Sequence, residues 1–200
     1  MATSVRREPT PRAREIAAVA LDALETEGPD GLSMRRVAER LGIRALSLYK
    51  HFPDKKALEA AIISTGFELL AEAFEVAVEG ADDRLDTVAG AYRRFAAKHP
   101  HLYRLMTAHE LNRELLAPGV EERAARPVVE AVGGDRDLAR AAWAFAHGMT
   151  ILELSGRFPP GANLEAAWKR GLDAFTTAAA RPADRRRPRQ RRGANTLPSA

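Results

Sequence analysis

Apolar residues recur at intervals of three and four along most of the chain, which is the spacing of helices with one buried face. Within residues 11 to 28, Ile16, Ala20 and Leu24 fall on one face, and Gly28 ends the pattern. No stretch alternates apolar and polar residues over the length of a strand, so strands are not expected. The pattern therefore predicts an all-α protein.

Clusters of Gly, Pro and short polar residues divide the rest of the chain into further predicted helices. A long helix is expected from about residue 54 to residue 79, with Asp54 as its N-cap. The shorter helices are predicted at residues 83–98, 101–108, 110–116, 119–132, 136–156 and 164–179.

Two short apolar stripes separated by Gly42 predict a helix-turn-helix. The first stripe comprises Met34, Val37, Ala38 and Leu41, and the second comprises Ala45, Leu48, Tyr49 and Phe52. Ser33 is the candidate N-cap of the first helix, and Ile43 can fill the turn. With the longer helix that precedes them, these two helices of about eight residues make a three-helix unit.

The second short helix presents a polar face rich in hydrogen-bond donors. Arg44, Ser47 and His51 fall on one side of it, with Lys50 beside them. A short helix that carries donors and cations suits the major groove of DNA. Leu46 lies off the apolar stripe, where it either contacts a thymine methyl group or packs locally.

Cations occupy the first turns of two neighbouring helices, where the helix dipole disfavours them. Arg35 and Arg36 stand in the first of these turns, and Lys55 and Lys56 in the second. Because free amides and a cation together bind a phosphate, we expect contacts to a nucleic-acid backbone there. The alternative is that the four side chains extend into water. Tyr49 is likewise open: its spacing fits the core, yet its hydroxyl could reach a phosphate.

An apolar turn, the pattern Leu-Tyr-x-x-Phe and a Lys-headed helix follow one another at Gly42, Ile43, Leu48, Tyr49, Phe52 and Lys55. With this motif, residues 12 to 63 resemble the DNA-binding domain of tetracycline-repressor (TetR) family regulators. The resemblance implies phosphate contacts from Ser33, Ser47, Tyr49 and Lys55. It implies base-edge roles for Arg35, Ala45, Leu46, Tyr49 and Lys50. Leu46 departs from the family pattern, in which this position is commonly small or Pro.

Residues 61 to 180 contain no recognisable catalytic or metal motif. They lack a phosphate-binding Gly loop, an H-E-x-x-H pattern and a G-x-S-x-G elbow. The absence of Cys removes thiolate nucleophiles and Cys-based zinc sites. We therefore expect neither an enzyme nor a cofactor or metal site. The alternative is an all-helical hydrolase whose catalytic residues converge only in three dimensions.

Large apolar and aromatic residues in this segment either line a ligand pocket or fill a solid core. The candidates are Phe67, Leu70, Phe74, Tyr92, Phe95, Tyr103, Met106 and Trp143. His147 is a further candidate, which either satisfies a local hydrogen bond or contacts a ligand.

Small residues recur at sevenfold spacing in the helix predicted at 136–156, and such a seam lets helices approach closely. The seam comprises Ala141, Gly148 and Ser155, next to an apolar stripe that ends at Leu152; the last helix adds Trp168, Leu172 and Phe175. This half resembles the C-terminal domain of the TetR subgroup named for its Trp, His and Gly, here Trp143, His147 and Gly148. The resemblance implies a homodimer that pairs through the last two long helices as a four-helix bundle, with a ligand cavity between the other helices.

Charge is segregated along the chain. Residues 1 to 60 carry 11 Lys/Arg and 9 Asp/Glu, residues 61 to 180 carry 13 and 17, and residues 181 to 200 carry 7 and 1. The basic ends indicate a polyanionic partner. We expect a disordered arm at 1–11, a DNA-binding domain at 12–60, a ligand-binding and dimerisation domain at 61–180 and a disordered Arg-rich tail at 181–200. The tail is either merely solvated or a nonspecific nucleic-acid contact.

These features favour a homodimeric, ligand-responsive transcriptional repressor that binds a palindromic DNA operator and is released by a small-molecule effector. Activation is an alternative to repression, and a nonspecific nucleic-acid-binding protein that uses the Arg-rich tail is another. No run approaches the roughly 18 apolar residues of a membrane span, and no secretory signal is recognisable. A cytoplasmic protein without a membrane partner is therefore expected.

Overall fold

All regular structure is helical in the part of the chain that the computed structural model describes, residues 10–82 and 84–180. The helices are α1 (Pro11–Glu27), α2 (Met34–Arg40), α3 (Ala45–Leu48), α4 (Lys55–Val78), α5 (Arg84–Lys98), α6 (Pro100–Thr107), α7 (Val120–Ala131), α8 (Arg136–Leu154) and α9 (Leu164–Ala179). This confirms the prediction of an all-α fold. The predicted tail and nearly all of the predicted arm lie outside the described residues.

Side-chain caps fix the helix starts around the helix-turn-helix. The Ser33 hydroxyl accepts a hydrogen bond from the Arg36 amide at 3.2 Å, and the Asp54 carboxylate accepts one from the Ala57 amide at 2.8 Å. Each cap satisfies one free amide of a helix start and stabilises it by about 1 kcal/mol. Gly42 has a φ of +63°, which residues with a Cβ rarely adopt, and so it permits the tight turn between α2 and α3.

Helix α4 connects the three N-terminal helices with the remaining five. It packs against α1 on one side of this junction and against α5, α6 and α7 on the other. Its 24 residues span about 36 Å. Gly66 allows the close packing with α6, because a Cβ at this position would lie 2.6 Å from the Met106 Sδ atom.

The prediction of a helix at 110–116 is wrong, because this segment is a loop with turns between α6 and α7. The loop is held by contacts with α4 instead of by its own helical hydrogen bonds. Leu116 is buried in a small cluster with Ala60 and Val120, and the Ala117 amide donates to the Ser64 hydroxyl at 3.0 Å. Tertiary contacts therefore override the local helical spacing here.

The second helix of the helix-turn-helix is shorter than predicted. It is regular only over Ala45–Leu48, after which the amides of His51 and Phe52 both bond to the Leu48 carbonyl. Pro53 follows at once, and a residue before Pro is disfavoured in the helical conformation.

Among the described residues, no helix is long and apolar enough to cross a membrane.

Candidate nucleic-acid interface and ligand cavity

The surface of α3 and the turn after it carries two exposed large side chains. Leu46 is 77% exposed and Tyr49 is 47% exposed, whereas Leu48 between them is fully buried. Leu48 thus belongs to the core, while Tyr49 lies partly in solvent. Of the two alternatives for Tyr49, the structure favours the solvent-facing one.

The predicted donors lie on this same surface. Arg44, Lys50 and His51 are exposed and Ser47 is half-buried. Within the described part of the chain, the three exposed residues have no ion pair. Their hydrogen-bonding groups are therefore free to contact a nucleic acid.

Three of the four cations in the first turns of α2 and α4 have carboxylate partners, two of them four residues further along the same helix. The pairs are Arg35 with Glu39 at 2.9 Å, Arg36 with Glu27 at 2.9 Å and Lys55 with Glu59 at 3.5 Å. These ion pairs within the protein thus partly offset the unfavourable interaction of the cations with the helix dipole. Such exposed pairs contribute little to stability, so a phosphate could replace the carboxylate.

Arg40 is a positioning residue that the sequence analysis missed. Its guanidinium bonds to Asp22 and Glu27 of α1 and so fixes α2 against α1. The hydrogen bond from Arg40, together with that from Arg36, lowers the pKa of the Glu27 carboxyl. Nothing in the local periodicity signals this contact, because its partners lie more than ten residues apart.

A cavity of about 520 Å³ lies within the C-terminal half, enclosed chiefly by α4 to α8. Its walls include all nine residues predicted as pocket candidates, Phe67, Leu70, Phe74, Tyr92, Phe95, Tyr103, Met106, Trp143 and His147. Six of them, Leu70, Phe74, Tyr92, Phe95, Tyr103 and Met106, also belong to the buried hydrophobic core. The volume falls within the range of pockets that bind small organic molecules.

A chain of hydrogen bonds crosses one wall of the cavity. The hydroxyls of Tyr92 and Tyr103 lie 3.0 Å apart, and the Tyr103 hydroxyl lies 2.7 Å from His147 Nδ1. Burial raises the pKa of both Tyr residues and lowers the pKa of His147, so that all three are neutral near pH 7. His147 of α8 thus makes a hydrogen bond with Tyr103 of α6, and it also lines the cavity.

The candidate dimer residues on α8 and α9 divide into two groups. Ala141, Leu152 and Ser155 are exposed, and Gly148 and Phe175 are half-buried. Trp168 and Leu172, by contrast, are buried within the protomer. The Trp168 ring packs edge-on against Phe145 at 5.6 Å and its Nε1 donates to Glu153, which explains why it is not on the surface expected to face a partner.

Helix α6 joins the cavity to the N-terminal helices. Its Tyr103 and Met106 line the cavity, while the Leu102 amide donates to the Glu25 carboxylate of α1 at 2.9 Å. Next to this bond, a Cβ at Gly28 would lie 3.3 Å from His101 Cε1. The bond between Leu102 and Glu25 links residues 77 positions apart, so spacing along the sequence gives no signal for it.

Among the described residues, no group of three or more His, Asp or Glu side chains could hold a metal ion.

Two family models match this helical architecture. The model for bacterial regulatory proteins of the tetR family matches residues 16–62, and the tetracyclin repressor-like C-terminal domain matches residues 85–175. An uncharacterized HTH-type transcriptional regulator of Mycobacterium tuberculosis is 32% identical over 147 residues, which are 68% of this chain and 67% of that protein. The chain belongs to the TetR family of transcriptional regulators.

Other similar proteins cover different shares of this chain. The tetracycline repressor protein class A of Escherichia coli is 45% identical over 64 residues, 32% of this chain and 28% of the repressor. A solved structure from Rhodococcus sp. RHA1 is 30% identical, with a TM-score of 0.65, and covers 90% of this chain and 100% of that one. A TetR variant of Acinetobacter baumannii, solved with minocycline, is 26% identical, with a TM-score of 0.56, and covers 82% of this chain and 93% of its own.

TetR regulators are normally not enzymes, which agrees with the lack of a catalytic motif in the sequence. The resemblance to the Trp-His-Gly subgroup stays a prediction.

Proposed function

We propose that this TetR-family regulator is a homodimeric repressor that binds a palindromic operator and is released by a small-molecule effector. The observation that carries the proposal is that a single helix, α4, connects the helix-turn-helix with the cavity. It begins with Lys55 beside the exposed donors of the helix-turn-helix, and its Phe67, Leu70 and Phe74 line the cavity. The reader is assigned to residues 12–60 and the ligand-binding and dimerisation part to residues 61–180, in a cytoplasmic protein.

DNA reading is assigned to α3 and the residues next to it. In this proposal α3 enters a major groove, where Arg44, Lys50 and His51 contact base edges or phosphates and Leu46 meets a thymine methyl group. Two copies of this reader would enter successive major grooves about 34 to 36 Å apart, which accounts for a palindromic site.

Dimerisation is assigned to the exposed face of α8 with the adjoining face of α9. The small side chains Ala141, Gly148 and Ser155 lie along this face, and a Cβ at Gly148 would meet nothing within 4 Å in the protomer. Such a surface lets a second pair of helices approach closely. The partly exposed Leu152 would add apolar area to the contact.

Release is assigned to a population shift. An effector that binds better when α4 and α6 are differently tilted changes the spacing of the two readers and so weakens DNA binding. Linkage then requires that the operator weaken effector binding by the same factor. The A. baumannii relative was solved with minocycline, which supports a ligand-binding role for this cavity without naming its ligand.

Footprinting on the DNA that flanks the protein's own gene would test whether the protein binds a palindromic operator there. In fluorescence anisotropy with the protected site, Tyr49→Phe should weaken binding several-fold, because it removes a hydroxyl that contacts phosphate. Lys55→Ala should weaken binding and reduce the salt dependence by at most about one charge. Lys98→Ala, an exposed Lys at the end of α5, is the control. Unchanged affinity in both test variants would contradict the phosphate contacts.

Truncation after residue 180 separates this proposal from nonspecific binding by the Arg-rich tail. A sequence-specific reader keeps its preference for the operator over random DNA when the tail is removed. A protein that binds through the tail loses most of its affinity for both DNAs.

A further inference from the structure

The cavity is chemically polarised along α8. Seven of its lining residues come from this helix, and the four that are not Ala are Arg136, Arg140, Trp143 and His147. Their spacings of four, three and four residues place them on one face of the helix, over a length of about 16 Å. One end of this face therefore carries two guanidinium groups and the other carries a neutral imidazole bonded to Tyr103.

Positive charge at the arginine end of the cavity is only partly neutralised. Among the described lining residues, Glu121 is the only carboxylate, and it is paired with Arg113 at 3.0 Å. Arg140 is paired with Asp137, which does not line the cavity. Arg136 has no carboxylate within ion-pair distance in the described part of the chain.

The neighbouring Asp135 does not supply the missing partner of Arg136. Its carboxylate caps α8 by accepting hydrogen bonds from the amides of Asp137 and Leu138, each at 3.0 Å. The other ionisable lining residues are His109, His147, Tyr92 and Tyr103, none of which bears a negative charge near pH 7. An excess of positive charge thus borders the cavity at Arg136 and Arg140.

The remaining walls are suited to an apolar body. Phe74, Phe95 and Met106 also line the cavity, and the hydroxyls of Tyr92 and Tyr103 bond to each other. An organic cation would place its charge near two guanidinium groups with no free carboxylate. Arg136 and Arg140 are exposed at the edge of the cavity, and a neutral ligand would form no charge-assisted hydrogen bond with them.

We propose that the cavity selects an amphipathic organic anion, an apolar carboxylic acid whose carboxylate binds Arg136 and Arg140. The apolar part of this acid lies along Phe74, Phe95 and Met106 toward the Tyr103–His147 pair. The inference deepens the proposed function and rests on it, because it names the chemical class of the effector. A carboxylate and a guanidinium form charge-assisted hydrogen bonds, which are stronger than those between neutral groups.

Isothermal titration calorimetry of the full-length protein with three ligands that share one apolar tail tests the charge preference. The ligands are decanoate, decanol and decylamine. Decanoate is expected to bind about tenfold more tightly than decanol, and decylamine more weakly than both. Rising salt should weaken the binding of decanoate but not that of decanol. Equal or tighter binding of the alcohol or the amine would overturn the proposal.

Variants at the arginine end locate the anion site. Arg136→Gln/Arg140→Gln is expected to lose about tenfold in affinity for decanoate and to leave decanol unchanged. The matched control Arg94→Gln/Arg157→Gln removes two exposed charges outside the cavity and should bind both ligands as the wild type does. The proposal is wrong if the first double variant keeps wild-type affinity for decanoate, or if both double variants lose it equally.

A separate measurement keeps the ligand class distinct from the repressor function. Decanoate is added to the complex of the protein with its footprinted DNA, and dissociation is followed by anisotropy. Calorimetric binding of decanoate without release of DNA supports the ligand class and contradicts effector-driven release. Release by decanol or decylamine, but not by decanoate, overturns the ligand class and leaves the repressor function standing.

Discussion

At the scale of single residues, the cavity side chains show what a sequence can and cannot specify. Apolar or aromatic character marks eight of the nine candidates, with His147 as the ninth, and all nine border the cavity. Such character does not decide whether they enclose a space, because this depends on the separation of α4, α5 and α8. The pairing of Arg40 and Arg36 with Glu27 of α1 is equally invisible to a local pattern.

Thr150 offers a test at the same scale. Its side chain is buried, and its hydroxyl is the one buried polar side-chain atom among the described residues that has no hydrogen-bond partner. Thr150→Val keeps the branched shape and removes the unsatisfied group, so it should raise the free energy of unfolding by about 1 kcal/mol. Urea denaturation followed by circular dichroism measures this change. Thr150→Ser, which keeps the hydroxyl and deletes a methyl group, should lower the stability instead.

At the scale of elements, helix starts are easier to predict than helix ends. Ser33 and Asp54 are both caps in the structure, because capping depends on residues close in sequence. The end of α3 and the loop at 110–116 depend on Pro53 and on contacts with α4. These contacts join residues such as Ala117 and Ser64, which are far apart in the chain, and so the periodicity is misleading there.

Substitutions at two glycines, one on α8 and one on α9, distinguish packing within a protomer from the proposed packing between protomers. Gly148→Leu should leave the fold intact, because a Cβ there has open space, and should shift the proposed dimer toward monomers. Gly171→Ala should instead destabilise the protomer by about 1 to 3 kcal/mol, because its Cβ would overlap the Phe145 ring. Sedimentation velocity and thermal denaturation of both variants distinguish the two effects. A Gly148→Leu protein with an unchanged sedimentation coefficient would argue against this interface.

At the scale of the whole molecule, helical periodicity and the recognisable motif predict the fold class and the family, but not the connection between the two halves. That connection includes the bond from the Leu102 amide to the Glu25 carboxylate, at the start of the helix that carries Tyr103 and Met106. The backbone amide of Leu102 and the side chain of Glu25, 77 residues apart, meet here in the folded protein. No pattern within either half specifies the contact.

Removal of this bond should weaken the junction. Glu25→Ala is expected to lower the free energy of unfolding by about 1 to 2 kcal/mol, because it leaves the start of α6 without its charged acceptor. Glu25→Gln keeps a carbonyl oxygen that can accept from the Leu102 amide, and so it should recover most of the loss. Urea denaturation of the three proteins gives the comparison. Equal stability of the Ala and Gln variants would mean that the hydrogen bond contributes nothing.

The contact between Gly28 and His101 also bears on protein engineering. Because the turn after α1 lies against α6, a chimera that fuses the first 60 residues to the sensor half of another regulator would bring an unfamiliar side chain against Gly28. The fusion point would separate the two domains in the amino-acid sequence, but it would still alter contacts between them in the folded protein. Hybrid biosensors built on this scaffold should therefore carry residues 25 to 28 and 101 to 102 as one transplanted unit.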